Sequence, residues 1–354
     1  MITFLFLVLS VGLAGSWVLT GQIRRFALAN AILDMPNARS SHAIPTPRGG
    51  GVAIVLLVLG GTLLASYLGV LRNEAAAAFI GGGGLVALVG WLDDRRGVHF
   101  IPRALTHLVA ATWAVYLLGG LPSFQVGPGE HVRLGGVGAV LAVLGIVWAT
   151  NLYNFMDGID GIAGGQALSA GVFGGSLLLL SGGGGLASVA FLLAAASTGF
   201  LIWNWAPAKI FMGDVGSGFL GFSFGTLAVA SENGGRVPLL LWVLLLGVFV
   251  VDATVTLLRR TLAGEVPYAA HRDHAYQRAV RSGWSHGRVS AWVMAFNLAL
   301  GGLAVAAWLV PGLMMQIFVG GLLALLVPYV IVERRKAMFQ EGAEPKPTMP
   351  RRAP

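Results

Sequence analysis

Long apolar runs separated by short polar interruptions fill the chain from residue 2 to about residue 332. Eleven of them approach the roughly 17 to 25 residues that carry a helix across a bilayer core. They lie near 2 to 20, 50 to 69, 75 to 91, 104 to 120, 135 to 150, 165 to 181, 186 to 203, 217 to 230, 237 to 258, 289 to 309 and 312 to 332. The pattern predicts an all-α polytopic membrane protein of about 11 transmembrane helices, with residues 1 to 332 forming a single integral-membrane domain. Residues 333 to 354, ending in EPKPTMPRRAP, are basic and proline-rich and read as a disordered cytoplasmic tail near the inner leaflet. The first run lacks the basic flank and small-residue cleavage pattern of a removable signal, so it reads as a retained span.

Composition narrows the choice of chemistry. Of 354 residues 56% are hydrophobic and 11% charged, against roughly 25% charged in an ordinary soluble domain. Zero cysteines exclude disulfides and thiolate ligands, so any metal must be held by oxygen or imidazole, which favours a hard cation. A net charge of +8 on a soluble chain would suggest nucleic acid. Here the arginines sit at the ends of apolar runs, and a phosphate-rich membrane surface is the simpler partner. If the N-terminus is outside, 20 of the 23 Lys and Arg residues fall on the inner side, leaving Arg72, Arg133 and Arg236 outside. The positive-inside rule then sets the N-terminus periplasmic and the C-terminus cytoplasmic. The glycine clusters at 81 to 84 and 182 to 185 read as close helix contacts or a tight outer turn.

That topology brings five polar stretches to the cytoplasmic face: RSSHAIPTPRGGG (39 to 51), GWLDDRRGVHFIPR (90 to 103), NLYNFMDGIDGIAGG (151 to 165), NWAPAKIFMGDVGSG (204 to 218) and HRDHAYQRAVRSGWSH (271 to 286). Asp93 and Asp94 are either loop acids neutralised by Arg95 and Arg96, or a pair whose repulsion a cation or shared proton relieves. Asn151, Asn154, Asp157 and Asp160 recur every third residue. Three residues fall about 60° short of a full helical turn, so the four cannot share one helical face. The glycines at 158, 161, 164 and 165 predict that the backbone leaves helix there. Asp214, in FMGDVGSG, is either an ordinary helix N-cap or part of a glycine-lined helix start suited to an anion. Asp252, inside the ninth run, is a buried structural partner or a catalytic acid. His271, Arg272 and His274 make a weak zinc motif but suit a diphosphate. His42 and Arg48 invite the same reading, with a plain surface turn as the alternative. Together these residues describe a cation-plus-phosphate site at the inner membrane surface, as phosphoryl transfer between a soluble nucleotide and a lipid would need.

In this order the motifs resemble those of the polyprenyl-phosphate N-acetylhexosamine-1-phosphate transferases, the WecA/MraY-like family, over nearly the whole chain. NFMDGIDG matches the family's Asn-Phe-x-Asp-Gly-x-Asp-Gly, and FMGDVGS its Phe-Met-Gly-Asp-x-Gly-Ser. The resemblance implies a multi-pass enzyme of the bacterial inner membrane. Such an enzyme moves a sugar-1-phosphate from a UDP-N-acetyl sugar to undecaprenyl phosphate, releases UMP, and initiates O-antigen or other cell-envelope glycan synthesis. It implies magnesium, with manganese as the alternative cation, no nucleic acid partner, and is compatible with a homodimer. Carried over by residue, it makes Asn154 and Asp214 the metal ligands, with Asp157 beside them as a catalytic acid and Asp160 turned toward the nucleotide. Asp93 and Asp94 match the catalytic acidic pair at the lipid phosphate, where Arg103 also falls. His271, Arg272 and His274 match the loop around the sugar diphosphate, joined by His42 and Arg48. Gly97 stands where some members carry a third acid, and the basic loop lacks a histidine run, which disfavours muramoyl-pentapeptide transfer. HRDHAYQRA and VDATVTLLRR look closest to the O-antigen-initiating branch, whose donors include UDP-GlcNAc, UDP-N-acetylfucosamine and UDP-N-acetylquinovosamine. The rival from another class is a secondary transporter of an anionic solute with Asp252 in a proton relay. Polar residues gathered at one face, not the midplane, argue against it.

Overall fold

The computed structural model describes residues 2–35, 44–266 and 271–339. His42 and the tail from residue 340 onward lie outside the described residues. Helix α1 (Ile2–Ala29) leads through the paired strands β1 (Leu33–Asp34) and β2 (Thr46–Pro47) to α2 (Gly51–Tyr67). Next, α3 (Asn73–Ala77) runs through a π turn at Ala78–Gly82 into α4 (Gly83–Arg96), followed by α5 (Phe100–Leu117). A hairpin of β3 (Ser123–Gly127) and β4 (Glu130–Arg133) precedes α6 (Gly136–Phe155), α7 (Ile162–Leu180), α8 (Gly184–Asn204) and α9 (Asp214–Asn233). The chain ends with α10 (Leu239–Leu245), α11 (Gly247–Leu262), the short α12 (Ala275–Arg281), α13 (His286–Leu309), a 3-10 turn, α14 (Met314–Ala324) and α15 (Leu326–Arg335).

All eleven predicted runs are helical. Seven helical stretches are long and apolar enough to cross a membrane, and α10 with α11 makes an eighth as a bent pair. The ninth run differs from its expectation, since it breaks at Leu246 and the two halves diverge by 81°. Its apolar sequence is continuous across the break, so a hydropathy window sees one span. Helix α9 is the buried axis, with Val215 through Gly221 all shielded.

Glycines let the neighbours of α9 approach closely, which is how helices pack where lipid removes the hydrophobic drive. A Cβ on Gly51 would lie 2.4 Å from Gly216 Cα, and one on Gly221 2.3 Å from the Ala149 carbonyl oxygen. The cluster at 81 to 84 is helical, and Gly82 and Gly83 seat Phe222 and Phe219, whereas residues 182 to 183 turn into α8. At the far end Glu232 accepts hydrogen bonds from the amides of Gln125 (2.8 Å) and Leu239 (2.6 Å), tying the hairpin to the bundle.

Candidate active site

The site is built around the start of α9. Gly213, with φ +80°, turns the chain into the helix, and Asp214 is its first residue. The cap is not Asp214 itself: Asp94, at the end of α4, accepts the amides of Asp214 (2.9 Å) and Val215 (3.1 Å). A carboxylate suits the positive end of a helix and its unpaired amides. Gly213 must be glycine on two counts, its positive φ and a Cβ position only 2.4 Å from Asp94 Oδ2. Asp214 thereby keeps its own carboxylate for other partners.

Those partners are two arginines. Arg48 gives Nε to Asp94 (2.8 Å) and Nη2 to Asp214 (2.7 Å). Arg103, from the first turn of α5, bonds Asp93 and lies 3.2 Å from the other Asp214 oxygen. Asp93 also accepts the Val98 amide at 2.6 Å. Three acids and two guanidiniums thus alternate across the ends of α2, α4, α5 and α9. The backbone fixes Arg48 there, because Phe211 donates to the Pro47 carbonyl (2.8 Å) and Gly50 donates to the Phe211 carbonyl (2.9 Å). Burial works against the Arg48 charge, but Asp94 and Asp214 outweigh it and raise its pKa above the ordinary value.

Beside this network α6 ends at Phe155 and the chain turns, with Gly161 at φ +79° opening α7. Asn151 and Asn154 therefore remain on helix while Asp157 and Asp160 lie on the turn, as the glycines and the spacing of three predicted. Asn151 bonds back to the Val147 carbonyl (2.7 Å). Asn154 donates Nδ2 to Ser217 Oγ (3.0 Å), turning its amide oxygen the other way. Asp160 accepts the Ala208 amide (3.0 Å) and lies 3.3 Å from His286 Nδ1. Asp157 is half-buried and makes no side-chain hydrogen bond or ion pair among the described residues. Burial, reinforced by the charge on Asp214, holds its carboxyl well above the ordinary range.

The basic loop closes over the turn. Tyr276, in α12, donates its hydroxyl to the Phe155 carbonyl (2.9 Å). His274 is buried, 3.5 Å from Asp252, and stacks on Phe155 and Tyr276, so its ring supports the loop from within. His271 packs on it at 4.8 Å between ring centres. Burial, with His274 and Arg260, pushes the His271 imidazole down to about 4, leaving it neutral at pH 7. Glu333 of α15 pairs with Arg259 (2.6 and 2.9 Å) and with Arg278, anchoring the loop's far side. Arg281 donates to the Arg272 carbonyl at 3.4 Å.

The structure thus brings Arg48, Asp93, Asp94, Arg103 and Asp214 into one network, and Asn154 is tied to the start of α9 through Ser217, whose hydroxyl donates to the Gly213 carbonyl at 3.1 Å. It holds His271 and His274 in the loop above. Sequence reasoning missed His286, whose only signal was its place at the end of the basic stretch. It also missed Ser217 and His107, a buried imidazole one turn along α5 from Arg103 whose Nδ1 has no hydrogen-bond partner among the described residues. Among the described residues no three His, Asp or Glu side chains are arranged to grip a metal unaided. Magnesium rarely needs that, since it commonly takes one or two carboxylates and completes its shell with substrate phosphates and water. Asn154, Asp157 and Asp214 carry oxygen donors of the kind such a cation takes.

An integral-membrane bundle that gathers acids, arginines and a glycine-lined helix start at one end defines a membrane-embedded protein for phosphate groups. Residues 76–232 match glycosyl transferase family 4. The decaprenyl-phosphate N-acetylglucosaminephosphotransferase of Mycolicibacterium smegmatis is 32% identical, over 79% of this chain and 78% of the relative. The undecaprenyl-phosphate alpha-N-acetylglucosaminyl 1-phosphate transferase of Yersinia pestis is 29% identical over 74% and 73%. A phospho-N-acetylmuramoyl-pentapeptide-transferase of Bacillus licheniformis is 29% identical over 81% and 92%. The chain belongs to the polyprenyl-phosphate N-acetylhexosamine-1-phosphate transferase family, within glycosyl transferase family 4.

Proposed function

We propose that this protein transfers N-acetylhexosamine-1-phosphate from a UDP-sugar to undecaprenyl phosphate, giving the lipid-diphosphate sugar and UMP. The observation that carries the reading is the alternating network of Asp93, Arg103, Asp214, Arg48 and Asp94, with the Asp157 carboxyl on the adjoining turn. It sets cationic groups for two phosphorylated substrates next to oxygen donors for a cation. Asn154, Asp157 and Asp214 would hold magnesium, which when bound offsets charge on the diphosphate. Arg48 and Arg103 would supply the guanidiniums for phosphate oxygens. Each is preorganised by two carboxylates, so little reordering is needed at the moment of reaction.

The reaction is a direct in-line attack by the lipid phosphate on the β-phosphorus of the donor, driven by positioning and electrostatics. A phosphate monoester, with a second pKa near 6, is about nine tenths dianionic at pH 7, so no strong base is required. Asp93 is the better group to orient it, because Asp94 already serves two amides and Arg48. Label on the β-phosphate of the donor should pass to the lipid fraction, and donor alone should leave no label on protein. A labelled protein trapped without lipid would overturn the direct route, and solute uptake into proteoliposomes without UMP would favour the transporter.

The eleven-span topology, with the N-terminus periplasmic and the site cytoplasmic in a bacterial inner membrane, belongs to the same proposal and rests on the 20 inner basic residues. The chain has no cysteine, so single cysteines report cleanly. One placed at Arg133 should react with an impermeant maleimide from outside and one at Arg96 only after permeabilisation; the opposite pattern would invert the topology.

A further inference from the structure

We propose that Asp252 is a positioning residue that sets the basic loop against the acidic turn. It lies on α11, buried, while the two arginines that end that helix are engaged elsewhere, Arg259 with Glu333 and Arg260 with Glu265 and Asp273. Its two oxygens are spent on the loop. Oδ1 accepts the Ala275 amide (2.8 Å) and Oδ2 the Tyr276 amide (3.1 Å), the first two amides of α12. Thr256, one turn along α11, donates to Oδ1 at 3.1 Å and His274 lies 3.5 Å away.

The consequence reaches the acidic turn through Tyr276. Its hydroxyl is bonded to the Phe155 carbonyl, next to Asn154, and a Cβ on Gly158 would fall 2.1 Å from that hydroxyl. Moving α12 therefore moves the residue that seats the turn carrying Asp157. Asp252 makes no hydrogen bond or ion pair with Asp93, Asp94, Asp157 or Asp214, so its effect passes through the loop.

The inference rests on the proposed reaction only where the loop's ligand is concerned, and the test separates the two. Purified full-length protein in detergent, wild type and Asp252→Ala, is compared by amide exchange and steady-state UMP release. Losing two charge-assisted amide bonds should speed exchange across residues 275 to 281 by on the order of tenfold or more. KM for the UDP-sugar should rise by a similar factor, while KM for undecaprenyl phosphate and the protection of α9 stay within about twofold. Asp252→Asn, which keeps one carbonyl acceptor, should fall between. Tyr276→Phe should leave α12 protected and loosen only residues 155 to 158. Unchanged exchange over α12 in Asp252→Ala, or an equal rise in both KM values with α9 protection lost, overturns the proposal. If wild type releases no UMP from any donor, the reaction is wrong, and the exchange data still decide the positioning.

Discussion

Replacing Asp214 with asparagine should lower UMP release by on the order of 100- to 1,000-fold, the scale seen when one charge-stabilising group is removed from a reacting centre. Asp214 is the node of the network, bonded to Arg48 at one oxygen and facing Arg103 at the other. The asparagine keeps the shape but removes the charge that faces both arginines. Folding should survive, because Arg48 retains Asp94 and Arg103 retains Asp93. Each guanidinium keeps a carboxylate, so the larger penalty of an unpaired buried charge, about 3 to 5 kcal/mol, is avoided. The check is specific activity alongside a size-exclusion profile and thermal unfolding in detergent. A folded Asp214→Asn protein with activity within tenfold of wild type would remove Asp214 from the reacting centre.

The second large effect is steric. Gly90 on α4 faces the first turn of α9 so closely that a Cβ there would lie 2.5 Å from the Asp214 carbonyl oxygen and 2.7 Å from the Val215 nitrogen. Both are backbone atoms and cannot rotate away. Gly90→Ala must push α4 off α9 and draw Asp94, four residues on, away from the amides it caps. Overpacking of this kind costs about 1 to 3 kcal/mol, and here it should reduce thermal stability and activity together. Gly84 is the internal control: it lies on the same helix with nothing within 4 Å of its Cβ position, so Gly84→Ala should change neither. Equal behaviour of the two variants would contradict the close approach of α4 and α9.

Much of this was legible in the sequence because two signals are local. Hydropathy marks spans one window at a time, and every predicted run is helical. The asymmetry of arginines gathers the polar stretches on one face, and the structure does bring Arg48, Asp93, Asp94, Arg103 and Asp214 together. The glycines at 158 and 161 likewise foretold the turn that separates Asn154 from Asp160. What escaped was relational. Asp214 reads as a helix cap from its neighbours, and only the packing of α4 on α9 shows that Asp94 does the capping. Asp252 looks isolated in an apolar run because the two amides of α12 that it accepts carry no mark in the sequence. The 81° break after Leu246 is hidden because both halves are apolar. The basic-loop motif marks His274, but only the packing shows its ring buried 3.5 Å from Asp252.

The most direct test of the central claim is UMP release by the purified protein supplied with undecaprenyl phosphate and a panel of UDP-N-acetyl sugars, with and without magnesium. UMP should appear with at least one donor, only when both the lipid and the cation are present, and in step with a lipid-linked sugar. Release of UMP without the lipid, undiminished activity in a chelator, or no release with any donor would contradict it.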